Sequence, residues 1–242
     1  MPAEINQFLE WLSKSDVVDL THTLENDIPT YPNHTKYFFN RWKAPADPAY
    51  LNAMLIGDHT GTHFDTSAHF LHDETNPARK LCHEIDPLAM IGRAVKLTFG
   101  PFAANNSTIS DSDIRAWEAE NIELHEDDIV IFDYQWADKW ALVDESNSFM
   151  EAWPGLSVSA VNYLIDKKIR VAATDCASID SADGDGGKFP GHLGLLFEGI
   201  LVIENLMNLK NLPSEFIFIG LPLKIKDAGG SPIRALALVP SL

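Results

Sequence analysis

The spacing of hydrophobic residues along the chain predicts a mixture of helices and short strands. Near the start, Ile5, Phe8, Leu9 and Leu12 recur at the three- and four-residue spacing of one helical face, which predicts a helix over residues 5–14. Short apolar runs bounded by turn residues predict strands at residues 17–24, 37–42, 50–56, 94–99, 128–133, 170–174, 200–204, 216–219 and 235–239.

Capping residues predict the other helices. A helix is expected over residues 114–120 behind a capping box of Ser110 and Asp113, and another behind Ser157 to about residue 168. A short third one is expected at residues 192–198. Because helices and strands do not alternate strictly, we expect one α/β domain over residues 1–242, with a mixed sheet.

The composition is strongly acidic. Asp and Glu number 35 against 18 Lys and Arg, which gives a formal net charge of −17 at pH 7. Nucleic acids and anionic membranes reward clustered basic residues, so this balance argues against both as partners. The first residues lack the basic and apolar regions of a secretory signal, and no run approaches the roughly 20 apolar residues of a membrane helix. Cys82 and Cys176 form no disulfide framework or CxxC pair, so a cytoplasmic location is expected.

Four potential metal ligands or proton carriers lie close together in residues 57–69, which read GDHTGTHFDTSAH. They are His59, His63, Asp65 and His69. Imidazole nitrogens and carboxylate oxygens are the ligands that Zn, Mn and Fe accept in open catalytic sites. The alternative is a group of surface or core histidines without chemistry, but so dense a cluster in a chain with nine histidines favours an active site.

The glycines of this segment indicate how its ligands could meet. Gly57 and Gly61 disfavour a regular helix and permit a tight turn. In an extended segment His63 and Asp65 point to the same side, because side chains alternate with a period of two. A bend at Gly61 would then bring in His59 as a third ligand.

Residues 59–69 resemble the HxGTHxDxPxH signature of the cyclase family, which includes bacterial kynurenine formamidases, isatin hydrolases and related metal-dependent amide and lactone hydrolases. Three other segments carry the resemblance over most of the chain: Asp19-Leu-Thr-His22 with the following Pro29-Thr-Tyr31-Pro32, the D-x-x-S-x-D segment from Asp175 to Asp180, and the late block from His192 to Glu204-Asn-Leu. His192 and Glu204 also keep the family spacing of twelve residues.

The resemblance implies a fold and a set of metal ligands. The fold would be a swivelling domain of the kynurenine formamidase type, with a β-barrel-like core and flanking helices. His59, His63 and Asp65 would bind a first divalent ion, Zn²⁺ or Mn²⁺. His192 and Glu204, with Asp65 bridging, would bind a second ion in formamidase-like members, whereas isatin-hydrolase-like members manage with one ion. Both counts stay open at this point.

The resemblance also bears on catalysis and on the substrate. His69 is the expected proton carrier, because imidazole titrates near neutrality; the alternative is that His69 is itself a metal ligand. Ser67 stands where the family has proline, which leaves the geometry of this turn open. Tyr31 stands where formamidases carry a tryptophan thought to line the substrate pocket, so Tyr31 is a candidate substrate-binding residue.

The expected function is metal-dependent hydrolysis of the C–N bond of an aryl-formamide or cyclic amide, resembling N-formylkynurenine or isatin, by metal-activated water. Lactones and imides are alternative substrates, and a non-catalytic, metal-stabilised binding protein is the alternative class. A serine nucleophile is not indicated, because Gly155-Leu-Ser157-Val-Ser159 fails the G-x-S-x-G pattern at its last position. A cupin oxygenase is disfavoured because cupins use an H-x-H pair. The resemblance further implies a homodimer or homotetramer, with the helix at residues 5–14 as a candidate for exchange.

Overall fold

The computed structural model describes residues 2–42, 49, 51–143 and 148–240, and a closed barrel of seven strands forms the centre of this part of the chain. The strands are β1 (Ser15–Asp19), β2 (Phe38–Trp42), β3 (Leu51–Leu55), β4 (His63–Asp65), β5 (Ile91–Thr98), β6 (Thr108–Ile109), β7 (Ile129–Asp133), β8 (Gly155–Leu156), β9 (Val171–Thr174), β10 (Leu201–Glu204), β11 (Glu215–Pro222) and β12 (Gly230–Pro240). The longer helices are α1 (Ala3–Ser13), α2 (Asp111–Glu120) and α3 (Val158–Asp166), and a single helical turn lies at Gly184–Gly187. The ring runs β12-β11-β5-β7-β9-β10-β4 and returns to β12.

Parallel and antiparallel pairs share this ring. Strands β5, β7, β9 and β10 are mutually parallel, and the remaining pairs are antiparallel. Parallel neighbours need crossover connections, and α2 lies between β5 and β7 in the chain as α3 lies between β7 and β9. The first residues of β12 pair with β4 and close the ring, whereas its last residues pair with β1, which adds an eighth strand outside it.

Alternate residues of the strands divide the core into two clusters. One fills the barrel and takes residues from every strand of the ring, among them Phe64, Ala94, Ile131, Ala173, Ile203, Phe218 and Ala235. The other covers the outer face of the parallel strands, where Val95, Val130 and Ala172 pack with residues of α2 and α3. Both faces of these strands are therefore buried over most of their length, which is why β7, β9 and β10 read as nearly continuous apolar runs. The predicted α/β fold with a mixed, barrel-like sheet is confirmed.

Capping explains where the helices begin. Ser110 Oγ accepts a hydrogen bond from Asp113 N, and Ser110 N donates to Asp113 Oδ2, which completes the predicted capping box of α2. Ser157 Oγ accepts from Ala160 N at the start of α3, as predicted. The expected helix at residues 192–198 is instead a π-helical turn, Gly191–Leu195, followed by a 3₁₀ turn, Leu196–Glu198.

Some predicted boundaries differ from the structure. The last strand is longer than predicted, because Gly230, Ser231 and Pro232 pair with β4 although they lack an apolar pattern. The first strand ends at Asp19, because the chain then turns to a single bridge between Thr21 and Leu206. Tyr50, the expected start of the third strand, and most of the Pro-rich turn before it lie outside the described residues.

Helix α1 forms as predicted but leaves its apolar face uncovered. Ile5, Phe8 and Leu9 are 46%, 56% and 47% exposed. Among the described residues, no helix combines the length and hydrophobicity that crossing a membrane requires.

Candidate metal centre

The centre is built on two neighbouring strands of the barrel. β4 and β10 are antiparallel, with Glu204 opposite His63. Because Phe64 and Ile203 point into the barrel, their strand neighbours His63, Asp65 and Glu204 point outward, to a common side. All three are buried.

A turn before β4 brings His59 to the same place. Gly61 has φ 62°, a left-handed conformation that favours glycine, and the bend expected there is present. It returns His59 to the strand, so that His59 Nδ1 lies 2.6 Å from Asp65 Oδ1. Space for the ring depends on Gly230, where a Cβ atom would lie 2.7 Å from His59 Cε1.

His192 is held from the opposite side by Asp180. The Asp180 carboxylate accepts hydrogen bonds from Gly191 N at 2.6 Å and His192 N at 3.2 Å, and its Oδ2 lies 2.6 Å from His192 Nδ1. With Nδ1 donating to this carboxylate, Nε2 is left free as a ligand atom. It lies 3.5 Å from Asp65 Oδ2 and 3.5 Å from Glu204 Oε1. Asp180 therefore sets the tautomer and the orientation of this ring.

Several distances between donor atoms fit a divalent cation, whereas the 2.6 Å between His59 Nδ1 and Asp65 Oδ1 is that of a hydrogen bond. His63 Nε2 lies 3.5 Å from Asp65 Oδ1 and 3.4 Å from Glu204 Oε2. Atoms that each lie about 2.0–2.2 Å from a tetrahedral zinc are separated by about 3.3–3.6 Å. Asp65 Oδ2 is buried and has no hydrogen-bond partner among the described residues, which leaves a carboxylate oxygen free to bind an ion. His63 Nδ1 donates to the Gly61 carbonyl at 2.8 Å, so its Nε2 also faces the cluster as a ligand atom.

The pKa shifts within the cluster show that it favours a bound positive charge. Burial favours a neutral imidazole, but the carboxylates of Asp65 and Glu204 outweigh it and raise the pKa of His63 to about 9. Burial would raise the pKa of Asp65, but His59 and His63 outweigh it and hold that pKa well below its usual range. Buried carboxylates among imidazoles require compensating positive charge, which either protons or a metal ion supplies.

His69 lies beside this cluster in a different electrostatic setting. Its ring centroid is 3.9 Å from that of His59 and 5.8 Å from that of His192. Burial lowers the pKa of His69 to about 4, so this imidazole is neutral at neutral pH. Ligand atoms of His59, Asp65 and His69 lie within 4.8 Å of one another, so both sequence-based interpretations of His69 remain compatible with its position.

Hydrogen bonds of Ser67 hold the turn that a proline stiffens in the family pattern. Its hydroxyl donates to the Ala78 carbonyl at 2.6 Å and accepts from Lys80 N at 2.8 Å. These contacts tie the 3₁₀ turn Ser67–His69 to the following loop. The side chain of His69 is therefore oriented without the family's proline.

A cavity of about 270 Å³ opens beside the cluster. Aromatic side chains on different loops form its walls, among them the predicted Tyr31, together with Phe70 and Phe189. Two polar residues that the sequence left without a role also line it, His34 and Asn205. Asn205 Nδ2 donates to the Gly61 carbonyl at 2.9 Å, and its place directly after Glu204 was the available signal. For His34 no motif pointed to the cavity.

The structure thus brings all the predicted ligand residues together: His59, His63, Asp65, His192 and Glu204, with His69 beside them and Tyr31 on the cavity wall. The fold and the donor set define the class first: an α/β barrel with a buried cluster of imidazoles and carboxylates next to an open cavity, which suits a catalytic divalent metal. The chain belongs to the Cyclase family, whose model matches residues 18–181.

Its relatives are hydrolases. An isatin hydrolase of Roseibium aggregatum is 31% identical over 78% of this chain and 74% of its own length. A kynurenine formamidase of Bacillus thuringiensis is 25% identical over 93% of this chain and 98% of its own.

Solved structures agree on the fold. Isatin hydrolase A from Labrenzia aggregata, bound to benzyl benzoate, superposes with a TM-score of 0.88 at 27% identity and covers 98% of this chain and 100% of its own. An isatin hydrolase bound to the product analogue thioisatinate matches with the same TM-score and identity, over 99% of this chain and 100% of its own.

Proposed function

We propose that this protein is a metal-dependent hydrolase that cleaves the C–N bond of an aryl-formamide or a cyclic amide, of the N-formylkynurenine or isatin type. The observation that carries the proposal is the convergence of buried imidazole and carboxylate donors, about 3.5 Å apart, at one end of a cavity with aromatic walls. The names of the relatives support this substrate class, since an isatin hydrolase and a kynurenine formamidase both match most of the chain. We assign the whole of residues 1–242 to this hydrolase domain.

One or two divalent ions, Zn²⁺ or Mn²⁺, would be held by His59, His63 and Asp65 together with His192 and Glu204. When bound, such an ion acidifies water to a pKa of roughly 7 and polarises a carbonyl group. The unpartnered Asp65 Oδ2 and the two imidazoles whose Nδ1 atoms are already engaged support this assignment.

The chain's own residues supply proton transfer and positioning. His69 is neutral at neutral pH, so a ring nitrogen can accept the proton that the attacking water loses and return it to the leaving nitrogen. Tyr31, Phe70 and Phe189 would hold an aryl ring between them and exclude bulk water from the carbonyl. If His69 is instead a metal ligand, replacing it should reduce the amount of bound metal as well as turnover.

Two alternative functions are compatible with the same site. A lactone or imide substrate would use the same residues, because nothing in the cluster selects a nitrogen over an oxygen leaving group. A non-catalytic, metal-stabilised binding protein is disfavoured because the donor cluster borders an open cavity, whereas structural zinc sites are closed.

The test is metal analysis of the purified protein combined with a hydrolysis screen over formanilides, isatin, imides and lactones. We expect bound divalent metal, turnover of at least one aryl amide, and loss of turnover with retained circular dichroism after chelation. Restored turnover on adding back Zn²⁺ or Mn²⁺ identifies the ion. A protein that unfolds on chelation and hydrolyses none of these compounds when loaded would support the binding-protein alternative.

We also propose that the protein forms a homodimer or homotetramer, with the β2–β3 hairpin in the interface. Phe38, Trp42, Met54 and Leu55 on this hairpin are 56%, 63%, 58% and 56% exposed. A two-stranded hairpin is marginally stable alone in water, and apolar side chains of this size favour burial against a partner. Its strands carry no acidic residue in a chain of net charge −17, so two copies could meet here without repulsion.

Light scattering tests the assembly. We expect a dimer or tetramer, and dissociation on replacing Trp42→Glu with the circular dichroism unchanged. A monomeric wild-type protein would remove this proposal.

We propose a cytoplasmic location as well, because both cysteines are free and buried.

A further inference from the structure

One turn forms the cavity wall beside the catalytic cluster. His34 N donates to the Tyr31 carbonyl at 2.9 Å, and the two rings lie 5.3 Å apart by their centroids. Both side chains line the cavity. Within the described part of the chain, the His34 ring nitrogens and the Tyr31 hydroxyl form no hydrogen bond with a protein group. The turn therefore presents two uncommitted polar groups to whatever fills the cavity.

His34 lies next to candidate catalytic residues. Its ring centroid is 5.4 Å from that of His59 and 6.3 Å from that of His69, so it borders both the candidate ligands and the candidate proton carrier. If the scissile carbonyl of a substrate lies beside His69, a substituent next to that carbonyl could contact His34. An imidazole keeps at least one N–H donor in either protonation state, so it can donate to an oxygen of the substrate.

The proposed substrates share a matching acceptor. Isatin and N-formylkynurenine are both aryl amides with a ketone on the aromatic carbon next to the one that bears the nitrogen. This ortho ketone lies close to the scissile amide, but the reaction does not change it. A donor on the cavity wall could therefore recognise it without taking part in bond cleavage.

We propose that His34 is a specificity-determining residue, which donates a hydrogen bond to a ketone oxygen ortho to the scissile amide and so selects ortho-acyl aryl amides over simple anilides. This inference rests on the proposed hydrolase function. It assigns His34 to positioning the substrate, and proton transfer stays with His69.

The test compares two substrates that differ only in the ortho ketone, 2′-formamidoacetophenone and formanilide. His34→Phe keeps an aromatic ring but removes the donor. We expect it to raise KM for the ketone by about two- to tenfold, the effect of one neutral hydrogen bond, while KM for formanilide and kcat for both change less than twofold. His34→Gln keeps an N–H donor and should recover most of the loss. His72→Phe, at an exposed histidine outside the cavity, is the matched control.

Equal losses on both substrates, or a fall in kcat with KM unchanged, would overturn the inference. Binding of the two amine products, 2-aminoacetophenone and aniline, gives a second readout on the protein as purified, without turnover. His34→Phe should reduce the ratio of their affinities by about two- to tenfold; an unchanged ratio would also overturn it. If the wild type hydrolyses neither amide, the proposed function fails, but this affinity ratio still decides the role of His34.

Discussion

Replacing Asp180 by asparagine should weaken metal binding although Asp180 is not a proposed ligand. Its carboxylate, 1% exposed, accepts from Gly191 N and His192 N and lies 2.6 Å from His192 Nδ1. An amide has one acceptor oxygen and one donor nitrogen. If the nitrogen faces His192, it donates to Nδ1 and moves the ring proton to Nε2, the atom that faces Asp65 and Glu204.

The size of the effect follows from this change of tautomer. A protonated Nε2 cannot bind a cation. Metal binding therefore requires the less stable arrangement in which the Nδ1–H of His192 faces the N–H of the new amide. Loss of such an outer partner typically costs 10–100-fold in metal affinity, or about 1.4–2.7 kcal/mol. We expect this loss in Asp180→Asn, and a parallel fall in turnover at limiting metal.

A competition titration against a chelator of known affinity measures this loss at one fixed pH. Asp183→Asn is the matched control, because Asp183 is exposed and its side chain, among the described residues, accepts hydrogen bonds from Ser181 and Asp185 of its own loop. An Asp180→Asn protein that folds and binds metal as tightly as the control would refute the argument that Asp180 sets the tautomer of His192.

Three further predictions follow from the geometry. His69→Ala should retain bound metal but lose about 10²–10⁴-fold in kcat; full turnover would remove His69 as the proton carrier, and lost metal would make it a ligand. Gly230→Ala should destabilise the protein by about 1–3 kcal/mol and lower its metal content, because the new Cβ would lie 2.5 Å from the Phe64 carbonyl oxygen and 2.7 Å from His59 Cε1; wild-type melting and metal content would contradict this. Burial and the neighbouring Asp133 raise the pKa of Asp175 to about 7, so the folded state binds the extra proton. This contribution, up to about 4 kcal/mol, is present below pH 4 and is lost as the pH rises through 7. Urea unfolding at pH 5 and pH 8 should show a smaller decrease in Asp175→Asn than in the wild type, and an equal decrease would refute the assignment.

Local sequence patterns were sufficient to predict much of the fold and the part of the metal centre that lies between His59 and Asp65. The capping box of Ser110 and Asp113 and the cap at Ser157 locate two helices, because a cap acts through hydrogen bonds within one turn. The segment from His59 to Asp65 carries its own geometry, since strand alternation aligns His63 with Asp65 and Gly61 supplies the bend.

Contacts between distant segments decided the rest. His63 meets Glu204 only because β4 pairs with β10 in one register, and His192 reaches them only because Asp180 holds its turn. Neither hydrophobic periodicity nor capping specifies which strands become neighbours; barrel closure does, and it also draws Gly230 into a strand that its composition did not predict. His34 had no motif at all, because its place on the cavity wall depends on how a loop folds across the finished barrel. The sequence by itself determined the donor types and the local turns, whereas tertiary packing determined which donors face one another, since strand register and side-chain distance are properties of paired segments.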